Sequence, residues 1–434
     1  MKNKILVLLL VLSTHILVYA KPMIRIEGAH FRPLQIALPE LMAQQTGDMN
    51  QAKAIAQQLT PLIRQYLELS GVFSVLNPKS YLADPKKEGL SRASIRMQQW
   101  SDIGAEGLVK GQVQLSGGKL SVDLAIHQVG IAKESEQKKY MVNPQDVKKL
   151  SLKISQDIYR YFTGEDGPFM SQIVAGKSLP SGKQLMLMDM DGQNQRQITK
   201  QSNLNLLPTL TPEGDIVLFT SYLKKNPDLF SIRTDGSDLK IISSYPGLNI
   251  GASVSPNKSK IALTLSKDGD SEIYVMDREG KNLQRLTHSY GIDTSPSWSQ
   301  DGKQIAFVSA RSGNPHVYVM NADGSNPERL TFQGKYNQTP RFSPRGDYIV
   351  FTGRDERKVF DIFLFDLKTK KISRITQEQG SNEEPSFAPN GRLIVFTSTR
   401  NGLRDLYLSN LDGTFQRRLT QDGRYWTPAF GPLP

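Results

Sequence analysis

Two columns of residues recur along the back two thirds of this 434-residue chain at a nearly constant interval. A hydroxyl residue closes each unit at Thr199, Ser243, Thr287, Thr331, Thr376 and Thr420, with spacings of 44, 44, 44, 45 and 44. A bulky apolar residue stands near the start of each unit at Leu210, Val254, Trp298, Phe342, Phe387 and Phe430, spaced by 44, 44, 44, 45 and 43. Two independent columns holding one period over more than 200 residues establish an internal repeat. Such a repeat must stack or close on itself to bury its apolar faces.

Each unit reads as four short strands. The first surrounds the bulky apolar residue and ends in a Pro/Gly turn such as Ser343-Pro344-Arg345-Gly346, where proline presets φ and glycine accepts a positive φ. The second is almost wholly apolar, as in Leu393-Ile394-Val395-Phe396, which implies burial on both faces. The third alternates, as in His316-Val317-Tyr318-Val319-Met320, and a tight Asp-Gly turn leads to the fourth. Six such units predict an all-β six-bladed β-propeller. The first copy, from about 171 to 199, lacks an opening strand, whereas the last segment, 425–430, is an opening strand alone. The ring is therefore expected to close by pairing of C- and N-terminal strands, which removes two sheet edges.

No such period exists in front. Residues 21–165 read as a mixed α/β domain and 166–434 as the propeller, joined through Thr163-Gly164-Glu165-Asp166-Gly167-Pro168. Strands are expected at 24–27, 34–38, 72–76, 107–115 and 119–128. Helices are expected at 51–69, with Pro61 marking a kink or a fresh start, at 95–102 and at 147–162. Residues 1–20 carry two lysines, an apolar run from Ile5 to Leu12 and the tripeptide Val18-Tyr19-Ala20. That is the pattern of a secretory signal cleaved after Ala20. It is too short to span a bilayer, and no later segment approaches 18 apolar residues. The expected location is the periplasm, with no transmembrane segment in the mature chain.

Composition narrows the chemistry. The absence of cysteine excludes disulfides, cysteine-based zinc sites and thiol catalysis. The five histidines, at 15, 30, 127, 288 and 316, share no ligand-like spacing, so no metal site is expected. Asp-rich turns such as Asp189-Met190-Asp191-Gly192 lack the further acids of a calcium loop and read as hairpin chemistry. The net charge of +12 is carried by scattered lysine pairs without interleaved aromatics, which argues against nucleic acid. No Gly-x-Ser-x-Gly elbow or phosphate-binding glycine loop occurs, so neither an enzyme nor a cofactor is expected.

The combination of signal, front domain and repeats resembles the TolB family of the Tol-Pal envelope system of Gram-negative bacteria. The resemblance is carried by Ile24-Arg25-Ile26, Leu69-Ser70-Gly71-Val72-Phe73, Trp100, the strand Val109-Lys110-Gly111-Gln112-Val113, and repeat segments such as Ile273-Tyr274-Val275-Met276-Asp277. The mature start and residues 28–50 depart from the family's pattern. The resemblance implies a non-enzymatic scaffold whose propeller binds the lipoprotein Pal and whose N-terminal segment binds TolA. On that reading the N-terminal contacts are Pro22, Met23, Ile24, Arg25, Ile26 and Glu27. Other outer-membrane or peptidoglycan-associated proteins are further partners, and the role is outer-membrane integrity and constriction at division. The alternative is a propeller that binds a sugar or small ligand in its channel.

Propeller geometry selects a face independently of the family. Loops between blades and between second and third strands emerge together, and they carry the variable sequence. A polar column marks this face at Asn205, Asn249, Asp293, Asn337 and Asn382, spaced by 44, 44, 44 and 45. It is read first as a set of Asx caps holding loops, and second as a ligand ring. The loops resembling Pal-contacting positions contribute Tyr245, Leu248, Asn249, Gly251, Asp293 and Thr294. Arg311, Arg354, Arg357, Arg400 and Arg404 are candidates because a guanidinium binds carboxylates bidentately.

Overall fold

The computed structural model describes residues 32–131, 135–200, 203–354 and 358–433. The signal-like segment, the strand expected at 24–27, the candidates Pro22 to Glu27 and Arg357 lie outside the described residues.

The front domain is a sheet covered by helices. Its strands are β1 (Leu34–Ala37), β2 (Met42–Gly47), β3 (Phe73–Val75), β4 (Gly107–Ser116), β5 (Lys119–Gln128) and β6 (Glu136–Val142). They run in the order β3-β1-β4-β5-β6, with β2 beside part of β4. Helices α1 (Met49–Leu69) and α3 (Val147–Thr163) bury Leu59, Ile63, Tyr66, Ile154 and Ile158 against the sheet, and the short α2 (Met97–Asp102) brings in Trp100. Asp48 caps α1 by accepting the Gln51 N–H at 3.1 Å. Pro61 neither ends nor restarts α1, which continues to Leu69. Proline removes only one N–H from the ladder, and the apolar stripe on both sides of it stays buried.

Two strands escaped the sequence reading. β2 is polar in composition, and β6 carries Glu136, Lys138 and Lys139 around the single deeply buried Tyr140. β6 is the edge of its sheet, where charged residues are the usual protection against strand addition.

Behind lies a β-propeller. Four antiparallel four-stranded sheets have inner strands Asn249–Val254, Asp293–Trp298, Tyr336–Phe342 and Asn382–Phe387. An eight-stranded sheet holds two further four-stranded groups, joined where Asn203 and Leu204 pair in parallel with Gly182 and Lys183. One of these groups has Asn203–Leu210 as its inner strand. The other is completed by the last strand, Tyr425–Phe430, which pairs antiparallel with Gln172–Leu179 from Tyr425↔Lys177 to Phe430↔Ile173. Second strands such as Leu393–Ser398 are buried along their whole length.

The hairpin glycines have a packing role beyond the turn. Gly413 has φ 75°, and a Cβ there would lie 2.2 Å from the Ile375 carbonyl oxygen of the neighbouring sheet. Gly192 stands in the same relation to Leu419, at 2.3 Å, so the first and last repeat units touch through the same contact. The front domain sits on this hairpin-turn face. Glu165 accepts from both Arg345 (3.0 Å) and Arg392 (2.9 Å), and Tyr66 donates to Asp191 at 3.0 Å.

Each inner strand is broken at one place. Register shifts fall between Leu206 and Thr209, Ile250 and Ser253, Thr294 and Ser297, Gln338 and Arg341, Glu383 and Ser386, and Trp426 and Ala429. The bulged residue is left-handed every time: Leu207 (51°), Gly251 (64°), Ser295 (58°), Thr339 (50°), Glu384 (61°) and Thr427 (42°). Only Gly251 adopts that conformation without cost. Each bulge locally bends its strand and increases its twist.

Candidate binding face

The polar column lies inside the loops. Asn205, Asn249, Asp293, Asn337 and Asn382 are all buried. Asn249 accepts from Ser243 Oγ (2.6 Å) and the Tyr245 N–H (2.9 Å), and its amide donates to the Tyr245 and Gly247 carbonyls. Asn337 donates to the Gln333 carbonyl, and Asn382 to that of Gly380. These groups hold the loop backbone and present no free ring to a ligand.

A second buried column escaped the sequence reading. It opens the third strand of each unit at Gln184, Asp228, Glu272, His316, Asp361 and Asp405, with spacings of 44, 44, 44, 45 and 44. In five of the six units this residue bonds the closing threonine: Thr199 with Gln184, Thr287 with Glu272, Thr331 with His316, Thr376 with Asp361 and Thr420 with Asp405. The threonine hydroxyl in turn accepts the next N–H of the third strand, as from Leu406 at 3.0 Å. An arginine two residues before the threonine completes the network, Arg285 on Glu272 at 2.8 Å and Arg418 on Asp405 at 2.6 Å. Burial, with Arg329 nearby, pushes the His316 imidazole below its ordinary value, which fits a neutral ring accepting from Asn337 Nδ2 at 3.0 Å. The signal was available, since the column has the period of the threonines that marked the repeat.

The candidate arginines serve the same framework. Arg311 donates to Asp293 at 2.7 Å and to Ser309 at 2.7 Å, and lies over the Phe307 and Tyr318 rings. Arg400, two units on, repeats this with Asn382 (3.1 Å), Ser398 (2.9 Å) and the Tyr407 ring at 4.2 Å. Arg354 stacks on Tyr336 and Phe360. Arg404 and Lys183 sandwich the half-buried Trp426 at 4.0 and 3.8 Å, and Arg404 also meets Glu383 at 3.2 Å. Of the remaining candidates, Tyr245 and Leu248 are half-buried in the loop that Asn249 holds, and Thr294 is half-buried just inside its strand.

Several large apolar side chains on this face are open to solvent. Tyr290 is 97% exposed, Phe332 71%, Leu403 57% and Ile292 45%, with Leu204 and Leu223 also exposed. All six stand at the loop ends of the strands. Among the described propeller residues, the other large apolar side chains so exposed are Met170 and Ile241. An apolar set gathered on one rim, among polar and charged residues of both signs, has the make-up of a protein-recognition surface.

Residues 159–434 match the family model described as the TolB beta propeller domain, and residues 22–135 that of the TolB amino-terminal domain. A Tol-Pal system protein TolB of Myxococcus xanthus is 44% identical over 227 residues, 52% of this chain and 51% of that protein. One of Desulfosudis oleivorans is 34% identical over 230 residues, 53% and 52% of the two chains. The chain thus spans about half the length of the curated relatives it matches. The crystal structure of TolB from Acinetobacter baumannii superposes with a TM-score of 0.80 at 24% identity, covering 93% of this chain and 98% of that one, which shows a common fold.

Proposed function

The chain belongs to the TolB family, and on that footing we propose that it is a non-enzymatic scaffold of the Tol-Pal system in the periplasm. Residues 1–20 are its cleaved signal, 21–165 its α/β domain and 166–434 a propeller of six blades. The strand pairing at Tyr425–Phe430 and the Gly192–Leu419 contact support closure of the ring. The loop face binds Pal, and the segment from Pro22 to Glu27 binds TolA, so that the protein supports envelope integrity and constriction at division.

The observation that carries the Pal assignment is the set Tyr290, Ile292, Phe332 and Leu403, apolar and exposed on one rim. Arg311 and Arg400 contribute by holding loops through Asp293 and Asn382. Their replacement therefore does not separate recognition from loop collapse. The exposed residues do. Calorimetric titration of residues 21–434 with the soluble domain of Pal from the same cell should give saturable binding. Phe332→Ser and Tyr290→Ser should each weaken it by about 10–100-fold, as central interface aromatics do. Absence of binding by folded protein, or full affinity in the double variant, overturns the assignment. Deleting residues 21–27 with no change in TolA binding overturns the N-terminal half of it.

A further inference from the structure

The six bulky apolar residues that mark the repeat meet at the hairpin-turn end of the inner strands. Leu210, Val254, Trp298, Phe342, Phe387 and Phe430 line one funnel of about 520 Å³, a volume typical of small-molecule sites. Every inner strand contributes a wall. The funnel opens on the face opposite the exposed loop residues, because its rim includes the first-hairpin prolines Pro212, Pro256, Pro344 and Pro389.

One charged side chain lines this cavity, that of Arg341. Its guanidinium donates to the carbonyl of Pro340, its own neighbour, at 3.1 Å. The acid whose charge acts on it is Glu384 on the next inner strand, which accepts from the Thr427 N–H (2.6 Å) and Thr397 Oγ1 (3.1 Å). Burial within the channel draws the half-buried Arg341 guanidinium below its usual range, and the Glu384 charge acts against that shift. One further polar atom of the lining, Trp298 Nε1, is buried without a hydrogen-bond partner among the described residues. Trp298 is only 8% exposed, so this group is not turned out to bulk water.

An apolar ring and a single guanidinium together describe a receptor for an amphipathic anion. One cation balances one negative charge, which favours a carboxylate over a doubly charged phosphate, and a planar fork suits a carboxylate bidentately. We propose that the funnel binds a small amphipathic carboxylate, its head on Arg341 and its apolar body against the ring of Leu210, Val254, Trp298, Phe342, Phe387 and Phe430. The site lies at the opposite end of the channel from the proposed Pal face and is independent of that assignment.

The probe is bromo-octanoate, whose bromine quenches tryptophan at contact. The chain has three tryptophans, and Trp100 is buried in the front domain while Trp426 lies at the loop end of the channel. Quenching of residues 21–434 should be saturable, competed by octanoate and not by octylamine, and abolished in Trp298→Phe. Calorimetry should show Arg341→Gln weakening octanoate at least tenfold while leaving octan-1-ol unchanged, with Arg341→Lys intermediate. Equal binding of octanoate and octylamine, quenching that survives Trp298→Phe, or wild-type octanoate affinity in folded Arg341→Gln overturns the proposal. The charge series on the unaltered protein decides it even where a variant fails to fold.

Discussion

Asp405 tests whether the buried third-strand column holds the loop face together. Its Oδ1 accepts from Thr420 Oγ1 (2.8 Å) and the Gly423 N–H (3.1 Å), and its Oδ2 from Arg418 at 2.6 Å. Replacing it by alanine strands three donors. Breaking a buried ion pair from one side costs about 3–5 kcal/mol. The Arg418 side chain is 31% exposed and regains some hydration, which places the loss at the lower end, about 3 kcal/mol. For a propeller of this size that lowers Tm by about 5 °C. Asp405→Asn keeps the Oδ1 acceptor for Thr420 and Gly423 and loses only the arginine, so it should cost about 1–2 kcal/mol. The assay is urea unfolding followed by tryptophan fluorescence, since Trp426 stands next to the loop that Asp405 holds, with calorimetry for Tm. A loss below about 0.5 kcal/mol in Asp405→Ala, within the range of an ordinary surface change, would refute the reasoning. Equal losses in the alanine and asparagine variants would refute the division of labour between the two oxygens.

Four further outcomes follow from the geometry. His127 is buried, and burial with Arg92 and Lys110 nearby lowers its pKa to about 4. The unfolded chain therefore binds a proton that the folded one does not, so stability is full above about pH 6.5 and falls by up to about 3 kcal/mol towards pH 4; His127→Gln should flatten that slope in acid titrations of unfolding. Burial works against the Glu165 carboxylate, but bonds from Arg345 and Arg392 hold it below its ordinary value. Its contribution is present above the unfolded pKa and lost as pH falls through the folded one, and being partly exposed it is worth about 1 kcal/mol; Glu165→Ala should show a urea midpoint that depends less on salt than the wild type's. Gly413→Ala should destabilise by about 2 kcal/mol or more, from positive φ and the clash with the Ile375 carbonyl, measured as a shift in unfolding midpoint. Thr427→Gly should stabilise by about 0.5–1 kcal/mol in the same measurement, because Thr427 sits at φ 42° with its buried hydroxyl unpartnered.

Much of the architecture was legible because the repeat imposes it. A propeller blade is defined by where its apolar strands and turn residues fall, and both repeat with one period. The front helices were legible by their 3.6-residue stripe, while β6 was not, since an edge strand needs charges that mask its alternation. The candidate face combines two kinds of residue. Asn249, Asp293, Asn337 and Asn382 stood out for being polar and periodic, and it is their periodicity that marks them as framework, because a feature shared by every blade serves the blade. Tyr290, Phe332 and Leu403 follow no column, and a single exposed apolar residue carries no signal until the fold gathers it with others on one rim. Arg311 and Arg400 turn inward because an acceptor two residues away and two aromatic rings offer them more than solvent does.

The pairing of Tyr425–Phe430 with Gln172–Leu179 joins strands about 250 residues apart along the chain. Such a contact carries the largest loop-closure entropy of any in the propeller, and non-local pairings of this kind slow folding. During synthesis the strand Gln172–Leu179 emerges early, with one side unpaired until the final strand arrives. Until then its edge is an open template for another chain. Of all the propeller's interfaces, this seam is the one whose completion a holding chaperone has reason to wait for, and the one through which two copies of the chain would exchange strands if closure were delayed.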